Sequence, residues 1–102
     1  MSGTERSVLL SADAEDDLYA AWHFGAHEWS PDQADRHLRD IEEMFERLRE
    51  NPSLGRKRED LIPSIRSAFV RPHLVFYRTR PKSIEIIRIL HQRSDTQIYF
   101  RQ

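Results

Sequence analysis

The stretch SPDQADRHLRDIEEMFERLRENP, Ser30 to Pro52, decides how this chain is read. Ser30 suits an N-cap, Pro31 the first helical position, and Gln33 completes a capping box. Ala34, Leu38, Ile41, Phe45 and Leu48 then recur at spacings of 4, 3, 4 and 3. That is one apolar stripe on a helix, opposite a charged face of Asp35, Arg36, Arg39, Glu42, Glu43, Glu46, Arg47 and Arg49. Asn51 can close the helix and Pro52 prevents its continuation.

Upstream, Ser7 to Leu10 is a short β-prone run. Ser11 is a candidate N-cap, and Asp13, Glu15, Asp16 and Asp17 crowd the turns that follow, where carboxylates complement the helix dipole. Leu18, Trp22, Gly25 and Trp29 recur at helical spacing beside Ala14 and Ala21, which predicts a helix over 12–28 with this stripe in the core. Almost no chain separates the two helices, so they form an antiparallel hairpin.

Downstream, 51–63 reads as a loop with Pro52, Gly55, Pro63 and the basic run Arg56-Lys57-Arg58. Residues 65–70, 74–78 and 84–90 read as strands, and the last, with four Ile and one Leu in seven residues, is apolar on both faces and so central. The order β-α-α-β-β-β predicts an α+β fold, a helical hairpin packed on one face of a mostly antiparallel sheet. At 102 residues the chain is one domain, with 1–6 and 96–102 expected as flexible tails.

Composition excludes several classes. There is no cysteine, so thiol nucleophiles, disulfides and Cys-based zinc sites are out. No apolar run is long enough to span a bilayer, and Met1 to Arg6 lacks a signal-peptide core, so a cytoplasmic protein without a membrane partner is expected. His23 and His27 stand four apart on the first helix with Glu28 beside them, but no third ligand is in view, and neither metal nor cofactor is expected. The formal net charge of −1 hides an asymmetry. Residues 1–50 carry five Arg against thirteen Asp and Glu, a net of −8; residues 51–102 carry eleven Arg and Lys against four acids, a net of +7. This reads either as an acidic helical layer neutralising a basic sheet, or as a basic face for an anionic partner.

Five stretches, in order, resemble the ParE toxins of the ParE/RelE superfamily of type II toxin–antitoxin systems. They are LSADAEDDL (Leu10–Leu18), WSPDQADRHL (Trp29–Leu38), LRENPSLGRKREDL (Leu48–Leu61), HLVFYR (His73–Arg78) and IEIIRILHQRSD (Ile84–Asp95). The resemblance covers about 8–95. It implies a toxin that inhibits DNA gyrase by binding, without covalent chemistry of its own. It also implies a ParD-like antitoxin, with a ribbon-helix-helix DNA-binding domain and a C-terminal segment that folds onto the toxin. Operator DNA would be met only through that antitoxin, in a toxin–antitoxin hetero-oligomer.

RelE-type relatives on the same fold are ribosome-dependent mRNA endonucleases, which need a base, an acid and cations at the phosphorane. Arg66, Arg88, His91 and Tyr99 are the residues available for that alternative, although Tyr99 lies where the resemblance has faded. A third reading is a degenerate, non-toxic co-repressor. Under the first, Arg66, Arg78, Arg88, His91 and Arg93 are expected to bind the target; Arg66, Arg78, Arg88 and Arg93 read equally as solvated strand ends or ion pairs to the acidic helices, and His91 as a partly buried histidine bonded to backbone. Tyr19, Trp22, Phe24, Trp29, Arg56, Arg58 and Arg71 are expected to bind the antitoxin. Phe24 lies off the apolar stripe and, with Tyr19 or Trp29, is placed to line an exposed groove at the edge of the hairpin.

Overall fold

A computed structural model describes residues 6–61 and 64–100. Strand β1 (Ser7–Leu10) leads into helix α1 (Ala12–Glu28) and helix α2 (Pro31–Glu50). A 3-10 turn over Pro52–Leu54 precedes β2 (Arg56–Lys57), β3 (Ile65–Val70), β4 (His73–Thr79), β5 (Ser83–His91) and a helical turn, α3 (Thr96–Tyr99). The strands form one sheet in the order β1-β5-β4-β3-β2. Only β1 runs parallel to its neighbour, so the sheet is mostly antiparallel and β5 is flanked on both sides.

Both helix starts follow the capping chemistry of the sequence. Ser11 Oγ accepts from the Ala14 N–H at 2.9 Å and Ser30 Oγ from the Gln33 N–H at 3.1 Å. Ser11 also ties α1 to the sheet, donating its hydroxyl to the Ile87 carbonyl at 2.8 Å and its backbone N–H to Ile86 O at 3.0 Å.

The helices cover one face of the sheet. Ile41, Phe45 and Leu48 of α2 meet Val75, Tyr77, Ile84, Ile86 and Ile89 in the main core. A smaller cluster on the other face joins Ile65, Leu74, Phe76, Leu90 and Phe100, with Leu61 and Ile87 against it. A bulge sorts β5 between the two: Phe76 pairs with Arg88 and Tyr77 with Ile86, so Ile87 is the extra residue. Ile86 and Ile89, three apart, thereby serve the same core.

Four expectations need correction. The core face of α1 is built from Ala14, Ala21 and Gly25, not from the tryptophans. Small residues let α1 approach the sheet and α2; a Cβ at Gly25 would stand 3.2 Å from the Cβ of Ala34. Trp22 is only half-buried, donating to Asp35 Oδ1 at 2.7 Å, and Trp29 is 43% exposed. On α2 the buried position beside Ala34 is His37, with Leu38 half-buried. The 51–63 loop contains β2, whose short pairing with β3 is fixed by the Tyr77 hydroxyl, which accepts from the Gly55 N–H at 2.8 Å and donates to Pro52 O at 2.6 Å. Lastly, the stretch read as a C-terminal tail carries α3 and buries Phe100 against Phe76, ring centroids 5.0 Å apart. At the other tail, Arg6 donates to Arg80 O at 3.0 Å; residues 1–5, 62–63 and 101–102 lie outside the described residues.

Candidate functional site

Two features stand at the open end of β5, where β1 has already ended. The first is an ionic staple. With β1 finished at Leu10, the edge N–H of Ile89 has no strand to donate to, and Asp17 of α1 takes that place, accepting at 2.9 Å. The same carboxylate receives Arg88 in a fork, Nε at 2.7 Å and Nη2 at 2.8 Å. Asp13 is a more distant partner at 4.0 Å, and the guanidinium lies 4.6 Å from the centre of the Tyr99 ring. The side chains of Arg88 and Asp17 are only 18% and 12% exposed, so this is a shielded, bidentate pair.

The second is a groove of about 790 Å³ between α1 and the β4–β5 end. One wall is Ala20, Phe24, Glu28 and Trp29; the other is Pro72, His91 and Arg93, with His73 on the floor. Phe24 meets Trp29 edge to face at 5.8 Å and His91 at 5.0 Å, so the half-buried Phe24 joins the two walls and Trp29 is the exposed aromatic. His91 Nδ1 accepts from the Arg93 N–H at 3.0 Å, so the turn after β5 presents the Arg93 side chain at the groove lip. Beneath, His37 Nε2 and His73 Nδ1 stand 2.8 Å apart, both rings buried.

The expected site residues therefore divide. Phe24, Trp29, His91 and Arg93 come together in the groove, although sequence reasoning had placed the first two on an antitoxin surface and the last two on a target surface. Tyr19 is 69% exposed, packs on His23 at 4.4 Å, and does not line the groove. The strand-borne arginines are mostly engaged. Arg66 donates to the carbonyls of Gly55 at 2.7 Å and Ser53 at 3.4 Å; Arg78 pairs with Glu85 at 3.1 Å; Arg88 is stapled to Asp17. Arg58 pairs with Asp60 at 2.9 Å, which holds the Asp60 carboxyl below its ordinary value, and lies over Phe76 at 5.4 Å. Arg71 lies over the exposed Phe69 ring at 4.7 Å, and Arg56 is exposed on the edge strand β2.

Sequence reasoning missed Asp17, His37 and His73 as parts of this region. Asp17 had a signal: Ala14, Asp17 and Ala21 are spaced 3 and 4, on the face that α1 buries. The histidine pair had none, since His37 and Leu38 fit the α2 period equally. Among the described residues no group of three or more His, Asp or Glu could hold a metal ion, and no helix is long and apolar enough to cross a membrane.

Comparison with known proteins agrees with this architecture. A family model described as the ParE toxin of the type II toxin–antitoxin system parDE matches residues 8–96. Toxin ParE1 of Mycobacterium tuberculosis is 35% identical over 88 residues, 85% of this chain and 90% of that protein. Toxin ParE of Escherichia coli is 30% identical over 90 residues, 87% of each. Among solved structures, a chain of the chromosomal ParDE toxin–antitoxin system from P. aeruginosa superposes with a TM-score of 0.75 at 24% identity, over 87% of this chain and 98% of that one. The YoeB dimer of Staphylococcus aureus gives 0.63 at 15% identity, over 85% and 97%. A match that spans the sheet, the hairpin and the groove leaves one assignment: the chain belongs to the ParE family of type II toxins.

Proposed function

We propose that this toxin inhibits DNA gyrase by binding it, acts in the cytoplasm, and is neutralised by a ParD-like antitoxin whose C-terminal segment lies in the groove between α1 and the β4–β5 end. The observation that carries the reading is the family match over residues 8–96. The groove supplies the rest of the support. It is concave, has an aromatic wall in the half-buried Phe24 and the exposed Trp29, and has a basic lip at Arg93, the composition expected of an anchor site for an amphipathic segment.

The nuclease alternative has less support. Phosphodiester cleavage needs cations free to meet the phosphorane. Arg88 has its charge taken by Asp17, and Arg66 is committed to two backbone carbonyls. Tyr99, a candidate acid or base, lies against Arg88 and falls beyond the matched residues.

Expression without the antitoxin is expected to arrest growth and induce the DNA-damage response, and co-expression of the antitoxin to restore growth. Phe24→Ala is expected to weaken antitoxin binding roughly thirtyfold, the size of an interface hot spot, while leaving the far-UV spectrum unchanged. A folded Phe24→Ala protein with unaltered affinity, measured by titration calorimetry, would remove the antitoxin from this groove.

A further inference from the structure

The imidazoles of His37, His73 and His91 come from three elements, α2, the first residue of β4 and the last of β5, and the groove reading leaves the inner two without a role. His37 Nε2 and His73 Nδ1 face each other at 2.8 Å, and both side chains are buried. One of these nitrogens must carry the proton and the other a lone pair. The bond survives a first added proton on the pair and breaks with the second, when both facing nitrogens are donors.

Little around the pair would compensate such a charge. Trp29 meets the His37 ring at 5.7 Å, and Phe24 and His91 meet His73 at 5.9 and 5.6 Å. On α1, Asp17 is committed to Arg88 and the Ile89 N–H, and Glu28 stands on the groove wall. On α2, Asp40 is exposed, and the cation of Arg36 lines the same shallow pocket as His37. On the β5 side, His91 is itself a base and Arg93 is a cation; before β4, Arg71 is exposed over Phe69.

We propose that the His37–His73 pair is an acid-operated latch, which ties α2 to the β4–β5 end when neutral and releases the groove wall when both rings are protonated, while the sheet stays paired. Burial, reinforced by His37 and His91 and opposed by Asp17, lowers the His73 pKa to about 4. Burial also lowers His37, with Asp40 opposing. Both shifts are downward, so the unfolded chain binds protons in a range where the folded chain does not. The latch's contribution is complete above pH 6.5, the ordinary histidine value, and is lost as pH falls from there toward 4. The latch belongs to the fold itself and holds with or without an antitoxin in the groove.

Two spectroscopic readouts test it on the full chain. In imidazole ¹⁵N spectra, His73 is expected to remain neutral at pH 5.5. With 5-fluorotryptophan incorporated at both tryptophans, the ¹⁹F signal of Trp29, whose ring meets His37, is expected to shift with a midpoint below pH 5. The far-UV spectrum should not change across that step, and His37→Gln should abolish it. A His73 that titrates near pH 6.5, a Trp29 step unaltered in His37→Gln, or a step coincident with loss of the far-UV signal would overturn the latch. Should His37→Gln fail to fold, the wild-type ¹⁵N titration decides alone.

Discussion

Asp17→Ala is expected to destabilise the protein by about 4 kcal/mol, with a matching fall in the urea midpoint at pH 7. The loss is large because one carboxylate serves two groups that cannot reach water freely. Arg88 would be left as a shielded guanidinium, 18% exposed, with only the distant Asp13 carboxylate at 4.0 Å to meet it, and the Ile89 N–H would lose the acceptor that replaces β1 on this edge. Domains of this size hold only about 5–15 kcal/mol in total, so the variant should be close to unfolding at 37 °C. Asp17→Asn keeps an oxygen for Ile89 and one contact to Arg88 and should lose about half as much. Removing both charges in Asp17→Ala/Arg88→Met should recover part of the loss, since the chief penalty is a shielded cation deprived of its hydrogen-bonded carboxylate. A loss below about 1 kcal/mol in Asp17→Ala would mean that the staple is screened like an ordinary surface pair.

The second large effect is expected at Phe76. Phe76→Ala should cost about 4 kcal/mol, the range for truncating a fully enclosed phenylalanine. Phe76 is fully buried at the centre of the smaller core, against Phe100 and under the Arg58 guanidinium. Among the described residues no long helix lies over that face of the sheet; the C-terminal turn and Leu61 do the covering. The variant should therefore also free residues 96–100, read as new proteolytic cleavage near Tyr99 at urea concentrations where the hairpin is still folded. Phe69→Ala, at a ring 51% exposed on the same face, should stay within about 0.5 kcal/mol of wild type. Equal losses at the two positions would contradict the placement of this second core.

The hairpin was legible because its signals are local. Ser11, Ser30, Pro31 and Asn51 stand where the helices begin and end, and the strand bounds fell within one residue for β3, β4 and β5. What could not be read is set by contacts between distant residues. A bulge at Ile87 leaves no mark in an unbroken Ile and Leu run, yet it decides which isoleucines share a core. The stripe of large residues on α1 outweighed the alanines, although close packing selects the small face. Phe100 reads as a tail residue until Phe76 is seen beneath it. The site was legible as residue types and not as partnerships. Arg88 and Arg66 lie on strands, as the sequence reads, but whether a guanidinium faces a partner or an internal group depends on Asp17, 71 residues away, and on the loop carbonyls. The charge division between the halves is likewise split in use: Glu85 takes Arg78 and Arg80, Asp17 takes Arg88, and Arg93 stands at the groove.

The central claim, inhibition of gyrase by binding, is tested most directly with purified components. The toxin is added to gyrase, relaxed plasmid and ATP, and the DNA topologies are read on a gel. The expected result is loss of supercoiling with accumulation of linear DNA linked to gyrase, reversed when the antitoxin is added first. Undiminished supercoiling at large molar excess of toxin, together with cut mRNA on translating ribosomes, would contradict the account and restore the nuclease reading.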